Sequence, residues 1–137
     1  MVTYSIPSRS DGITIITQLS AQRYGQETAH TFLKGAKARE FARGLRDSSV
    51  KSVLTLILGL TSVYTGIYAG VYTLYKQSII DQIMDYSDTY PGVYIKVIDS
   101  TYGRFYAVEP WEDTSRATVS LVNSETTSER IAEVIRY

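Results

Sequence analysis

A chain of 137 residues with 14 Lys and Arg, 14 Asp and Glu and a formal net charge of zero is long enough to bury a core as a single domain, 1–137. It has no cysteine, which excludes disulfides and thiolate metal sites, and its neutral balance argues against nucleic acid as a partner. Its 12 tyrosines against 3 phenylalanines are the departure from an ordinary composition, because Tyr joins an apolar body to a polar tip and suits interfaces and half-wet surfaces.

The charge is unevenly spread. Residues 1–76 hold nine Lys/Arg and four Asp/Glu, and residues 77–137 hold five and ten. The two halves either face each other in the fold or leave the first half to meet an anionic partner.

Residues 1–25 place Pro7, Ser8, Ser10, Gly12 and Gly25 around one apolar run, Ile13-Thr14-Ile15-Ile16-Thr17. Its β-branched content predicts a short strand or an extended arm. Over 27–47 the period turns helical, with Ala29, Phe32, Leu33, Ala36, Phe41, Ala42 and Leu45 as an apolar stripe. Lys34, Lys37, Arg39, Arg43 and Arg46 form the opposite, basic face. This amphipathic helix either lies on anionic lipid or is an ordinary surface helix with a solvated face. Ser48 or Ser49 offers a cap to the next helix, expected over 50–88 and stopped by Pro91-Gly92.

Beyond that stop the period is two. Val93–Ile98 and Arg104–Val108 predict a hairpin, with Glu109-Pro110-Trp111 breaking its second strand. A third strand over 117–122 completes an antiparallel region, 93–122. Thr126-Thr127-Ser128-Glu129 has capping-box spacing before Ile131, Ala132, Val134 and Ile135, so 127–136 reads as a terminal helix. The fold class is α+β: a basic helix and a long apolar, glycine-rich helix packed with a small antiparallel sheet.

The loudest stretch is Val53–Tyr75, which contains no charged residue. On a helical wheel Thr55, Gly59, Ser62, Gly66, Gly70 and Thr73 fall within about 80° of arc. Tyr64, Tyr68, Tyr72 and Tyr75 line the opposite side. A strip of small residues lets another backbone approach closely, so the strip is the expected helix-contact face. Twenty-three residues at about 1.5 Å rise reach roughly 34 Å, enough to cross a hydrocarbon core. Evenly spaced tyrosines do not suit a permanent span, since Tyr belongs at the membrane boundary. The segment therefore reads as a core or subunit-contact helix, or as a sheltered helix that inserts conditionally.

Chemistry finds little support. His30 stands without a second His or any Cys, so neither a triad nor a His-based metal site can be built, and it reads as a helix-surface or packing residue. Asp81, Asp85 and Asp88 share one helical face without calcium-loop spacing. Glu109, Glu112 and Asp113 flank Trp111 and read as a turn rather than a sugar site. No phosphate loop, nucleophile elbow or zinc-helix motif occurs.

The expectation is a non-enzymatic protein with no catalytic residue, no cofactor, no metal and no identified small-molecule substrate. It acts by association through its apolar helix, with an anionic membrane or with copies of itself. In its sharpest form it is membrane-active, similar in outline to a bacteriocin or small pore-forming toxin; the alternative is a structural or adhesive subunit of an extracellular fibre. Met1-Val2-Thr3-Tyr4 carries no leader, and the expected location is extracellular, with the leader absent from this chain.

Overall fold

The β-branched run Ile13–Thr17 does form a strand, and a longer one than its composition suggests. The structure, a computed structural model, describes residues 1–21 and 25–137. Its elements are β1 (Val2–Ser5), β2 (Gly12–Ala21), β3 (Gly25–Lys34), α1 (Gly35–Asp47), α2 (Val50–Leu56), α3 (Ser62–Leu74), α4 (Lys76–Thr89), β4 (Gly92–Ser100), β5 (Gly103–Trp111), β6 (Arg116–Val119) and β7 (Thr127–Arg136). The class is α+β, as read from the sequence.

Five strands form an antiparallel sheet in the order β5-β4-β3-β2-β7, and β1 pairs with β6 in a separate ribbon. Strand alternation sends Ala29, Leu33, Val93, Ile95 and Val97 to one face, where they meet Phe41, Leu45, Leu54, Tyr68, Tyr72, Ile79 and Ile83 from the helices. The other face sends Ile13, Ile15 and Phe32 against Trp111, Ala117 and Val119 in a second core under the ribbon. The middle of the sheet is thus buried on both sides.

Four expectations are overturned. The helix expected over 27–47 begins only at Gly35, and its first part is strand β3. Ala29, Phe32 and Leu33 match a helical stripe, but Ala29 and Leu33 serve one core and Phe32 the other. Pairing on both edges, with β2 and with β4, outweighs that local pattern. The helix expected over 50–88 is three helices. It is broken at 57–61, where Gly59 takes φ +65 and Leu58 and Leu60 turn into the core, and again at Tyr75 (φ −112, ψ 19).

The terminal helix expected over 127–136 is strand β7, antiparallel to β2 with a bulge opposite Ile16 and Thr17. The run Ile131, Ala132, Val134, Ile135 covers sheet, and Glu129 is drawn to Thr17 instead of closing a capping box. Lastly, β5 runs on through Pro110 to Trp111. It pairs only with β4, so the missing N–H of Pro110 faces no strand.

The expected third strand is β6, shorter than 117–122, and the 93–108 hairpin is present as β4 and β5. Of the arm expected over 1–25, Val2–Ser5 and Gly12–Ala21 are strands, and residues 22–24 lie outside the described residues.

One glycine is dictated by close approach. Gly12 has φ +146, and a Cβ there would lie 2.0 Å from the Phe32 carbonyl oxygen. Gly12→Ala is expected to lower stability by at least about 2 kcal/mol, through both the clash and the backbone conformation; the shift in urea midpoint measures it.

Candidate functional site

The break at 57–61 decides what the uncharged segment can do. No helix among the described residues is long and apolar enough to cross a membrane. Its tyrosine side is turned inward: Tyr68 and Tyr72 are fully buried, and Tyr64 and Tyr75 are partly buried against the helix-side core. Phe41 meets Tyr72 edge-on at 5.5 Å between ring centroids, a geometry that adds about 1 kcal/mol to the burial itself. Tyr75 donates to the Arg104 carbonyl at 2.9 Å and tilts against Tyr106. Ser78 and Gln82 of α4 hydrogen-bond the Tyr106 hydroxyl.

The strip of small residues faces the other way. Thr55, Gly59, Ser62, Gly66 and Thr73 are exposed, and a Cβ on Gly66 would meet nothing within 4 Å. Close approach occurs only at Gly70, where a Cβ would lie 2.9 Å from Cζ of Arg104. The guanidinium occupies that space and reaches Asp99 at 3.5 Å. Between the chain's own helices the strip contributes the contact of Thr55 Oγ1 with Thr65 Oγ1 of α3 at 3.4 Å, while its glycines abut no other helix among the described residues.

Beside it stand three apolar residues that the wheel did not single out: Leu56, Val63 and Leu74, with 82%, 66% and 60% of their surface in solvent. The outer side of α2 and α3 thus contributes no charged residue of its own from Ser52 to Leu74, and it carries exposed apolar side chains among small ones, with Arg104 packed on it at Gly70. Lys51 and Lys76 flank it in sequence.

The basic residues are only partly available. Lys34 donates to the Pro7 and Ser8 carbonyls and Arg39 to the Ser87 carbonyl. Lys37 lies 3.8 Å from Glu40 and over the Tyr137 ring. Arg43 is exposed, and Arg46 pairs with Asp47 in solvent. Asp81, Asp85 and Asp88 are all exposed on α4. Trp111 is buried and donates through Nε1 to the Arg116 carbonyl, so it presents no open platform. No group of three or more His, Asp or Glu among the described residues is placed to hold a metal ion.

His30 is the main surprise. It is a buried residue on the ribbon side of β3, not on a helix. Its Nδ1 is 2.6 Å from the Tyr94 hydroxyl, and its Nε2 is 3.5 Å from Thr17 Oγ1. Thr17 donates to Glu129 Oε2 at 2.7 Å, while Glu129 Oε1 accepts from the Val122 amide at 3.1 Å. Because Thr17 gives its only proton to a carboxylate, it can only accept from His30. The network therefore assigns the proton to Nε2, with Tyr94 donating to Nδ1.

Burial, helped by the Lys96 charge and opposed by Glu129, lowers the His30 pKa to about 4. Burial likewise raises the Tyr94 pKa. The network, with a neutral imidazole at its centre, is a latch tying β7 and the segment before it to the centre of the sheet. The alternation of Thr17, Thr28 and His30 in paired strands was the available signal, hidden by reading 27–34 as helix.

Comparison with family models, with curated proteins and with solved structures returns no match.

Two measurements test this description. The unfolded chain takes the His30 proton at its ordinary pKa of 6.5 and the folded chain only at about 4. The stability His30 contributes is therefore complete above pH 6.5, falls as pH drops through that window, and is fully lost below about 4. The total is roughly 3 kcal/mol. Urea melts from pH 7 to 4 should show a shallower loss for His30→Gln than for the parent. Second, the Tyr68 hydroxyl is buried without a hydrogen-bond partner, so Tyr68→Phe should leave the melting temperature unchanged or raise it.

Proposed function

We propose that the protein acts without catalysis, by association through the outer face of α2 and α3, and that the surface it meets is an anionic membrane. One observation carries this reading. Leu56, Val63 and Leu74 stand largely in solvent on helices that contribute no charged residue from Ser52 to Leu74, the one described charge packed on them being the Arg104 guanidinium at Gly70, and exposed apolar side chains of that kind are where proteins meet lipid or one another.

The mode follows from the core. Tyr68, Tyr72, Leu58 and Leu60 are buried in the fold, so the face docks with its inner side still packed, its apolar side chains entering the head-group boundary. Lys51, Arg43 and Lys76 supply the cationic attraction, each lysine or arginine near an anionic surface contributing about 1 kcal/mol. Insertion of a longer apolar helix would need the 57–61 break to straighten and the tyrosines to leave the core. It belongs to a later, conditional step of a bacteriocin-like or pore-forming protein.

A second reading rests on Gly66. With nothing within 4 Å of its Cβ position, the small-residue strip is open to the backbone of a second copy, as in a subunit of an extracellular fibre. Such a protein assembles in lipid-free buffer.

Flotation with anionic and neutral liposomes separates the two. The expected outcome is co-flotation with anionic vesicles alone, lost in the Leu56→Glu, Val63→Glu, Leu74→Glu triple variant with its far-UV spectrum unchanged. Failure of the parent to float would overturn the membrane reading. Gly66→Ala should stabilise the monomer by up to about 1 kcal/mol, since Gly is the poorer helix former. It should also weaken self-association if the strip is the contact, which sedimentation at several concentrations reads.

A further inference from the structure

The break at 57–61 is braced from the sheet. Tyr137, the residue after β7, donates its hydroxyl proton to the Leu58 carbonyl at 2.9 Å. The same hydroxyl lies 2.5 Å from Thr14 Oγ1, which is 3.1 Å from Thr31 Oγ1. A carbonyl can only accept and each hydroxyl has one proton, so the order is fixed: Thr31 donates to Thr14, Thr14 to Tyr137 and Tyr137 to Leu58. This relay runs from β3 through β2 to the break, and both threonines are buried. The Tyr137 amide is held by the Gly12 carbonyl at 3.0 Å, and Lys37 of α1 lies over its ring. Two residues earlier, Ile135 Cγ2 stands 3.9 Å from where a Cβ on Gly59 would lie.

What is braced has a second conformation open to it. Only 57–61 parts α2 from α3, and Gly59 there takes φ +65, the left-handed conformation that ends helices. No charged residue lies from Ser52 to Tyr75. Straightened, a single helix over 50–74 would rise about 37 Å at roughly 1.5 Å per residue, more than the roughly 30 Å of a bilayer's hydrocarbon core. In the broken form Leu58 and Leu60 are buried instead, and no helix among the described residues is long and apolar enough to cross. The brace belongs to β7, an edge strand that pairs with β2 alone in the five-stranded sheet. Such an edge opens at lower free energy than the centre.

We propose that residues 135–137 are a strap. Closed, it holds the uncharged segment in its broken, folded form; released, it frees 50–74 to join into one helix. As a control on insertion the strap rests on the membrane reading, because only a bilayer shelters the straight form. As a brace on the break it stands without that reading.

Two variants of the full chain test it. Tyr137→Phe removes the bond to Leu58 and keeps the ring. Gly59→Ala penalises the left-handed backbone without a clash, since its Cβ meets Ile135 at ordinary contact distance. Hydrogen exchange in lipid-free buffer reads the brace: in each variant the amides over 57–61 should accelerate at least fivefold more than those of β3. Dye release from anionic liposomes reads the control: each variant should float as the parent does and release dye at least threefold faster. Val119→Ala, which opens a cavity in the ribbon-side core away from the strap, should lower the melting temperature without speeding release. Acceleration no greater at 57–61 than in β3, or release no faster than that of Val119→Ala, would overturn the strap. Failure of the parent to float would overturn the membrane reading and the control on insertion with it, and exchange then decides the brace by itself.

Discussion

Strand β3 is hydrogen-bonded along both edges and covered on both faces, and the rest of the molecule is arranged around that double burial. Its register pairs Leu33 with Gly12 of β2 and Lys34 with Gly92 of β4. Ala29 and Leu33 enter one core and Phe32 the other. A strand so enclosed must give every backbone group to its neighbours and every side chain to a packed layer. That requirement explains why a Cβ is not tolerated at Gly12, and why Thr28, His30 and Thr31 are buried although polar. Each is placed by the ladder and must find partners within it.

The helical layer then follows from what this sheet needs on one face. Four helices lie between β3 and β4 in sequence, and their buried side chains meet the sheet through a layer of aromatic and branched residues. Tyr68 and Tyr72 are in that layer because of their rings, since the Tyr68 hydroxyl has no partner there. The 57–61 break drops Leu58 and Leu60 inward, and the Tyr137 hydroxyl closes it by donating to the Leu58 carbonyl at 2.9 Å. A straight helix of that length could not keep all its apolar residues on one layer. By bending, the segment buries Leu58, Leu60, Tyr68 and Tyr72 and leaves most of the small-residue strip outside, together with Leu56, Val63 and Leu74.

Polar groups on the opposite face act as positioning devices. The Glu129–Thr17–His30–Tyr94 network crosses from β7 through β2 and β3 to β4, four neighbouring strands. Its low local dielectric favours neutral imidazole and strengthens each bond in it. The same geometry that keeps His30 neutral keeps β7 on the edge of the sheet. It also shows how one misread element propagates: with 27–34 taken as helix, Thr17, His30 and Glu129 have no reason to meet.

The amino-acid sequence by itself determined the class of the fold, the strand at Ile13–Thr17, the hairpin over 93–108 and the stop at Pro91-Gly92, because these rest on local β-branching and on Gly and Pro backbone chemistry. It also marked Val53–Tyr75 as uncharged and two-sided, with tyrosines opposite small residues. Only the tertiary structure decided that 27–34 and 127–136 are strands, since their apolar spacings suit either period and non-local pairing with β2 and β4 outweighs a weak local preference. It alone decided which side of the uncharged segment faces water. The wheel orders residues around an axis, but burial of large aromatic surface against the sheet turns that axis, and here it turned the tyrosines in and the glycines out.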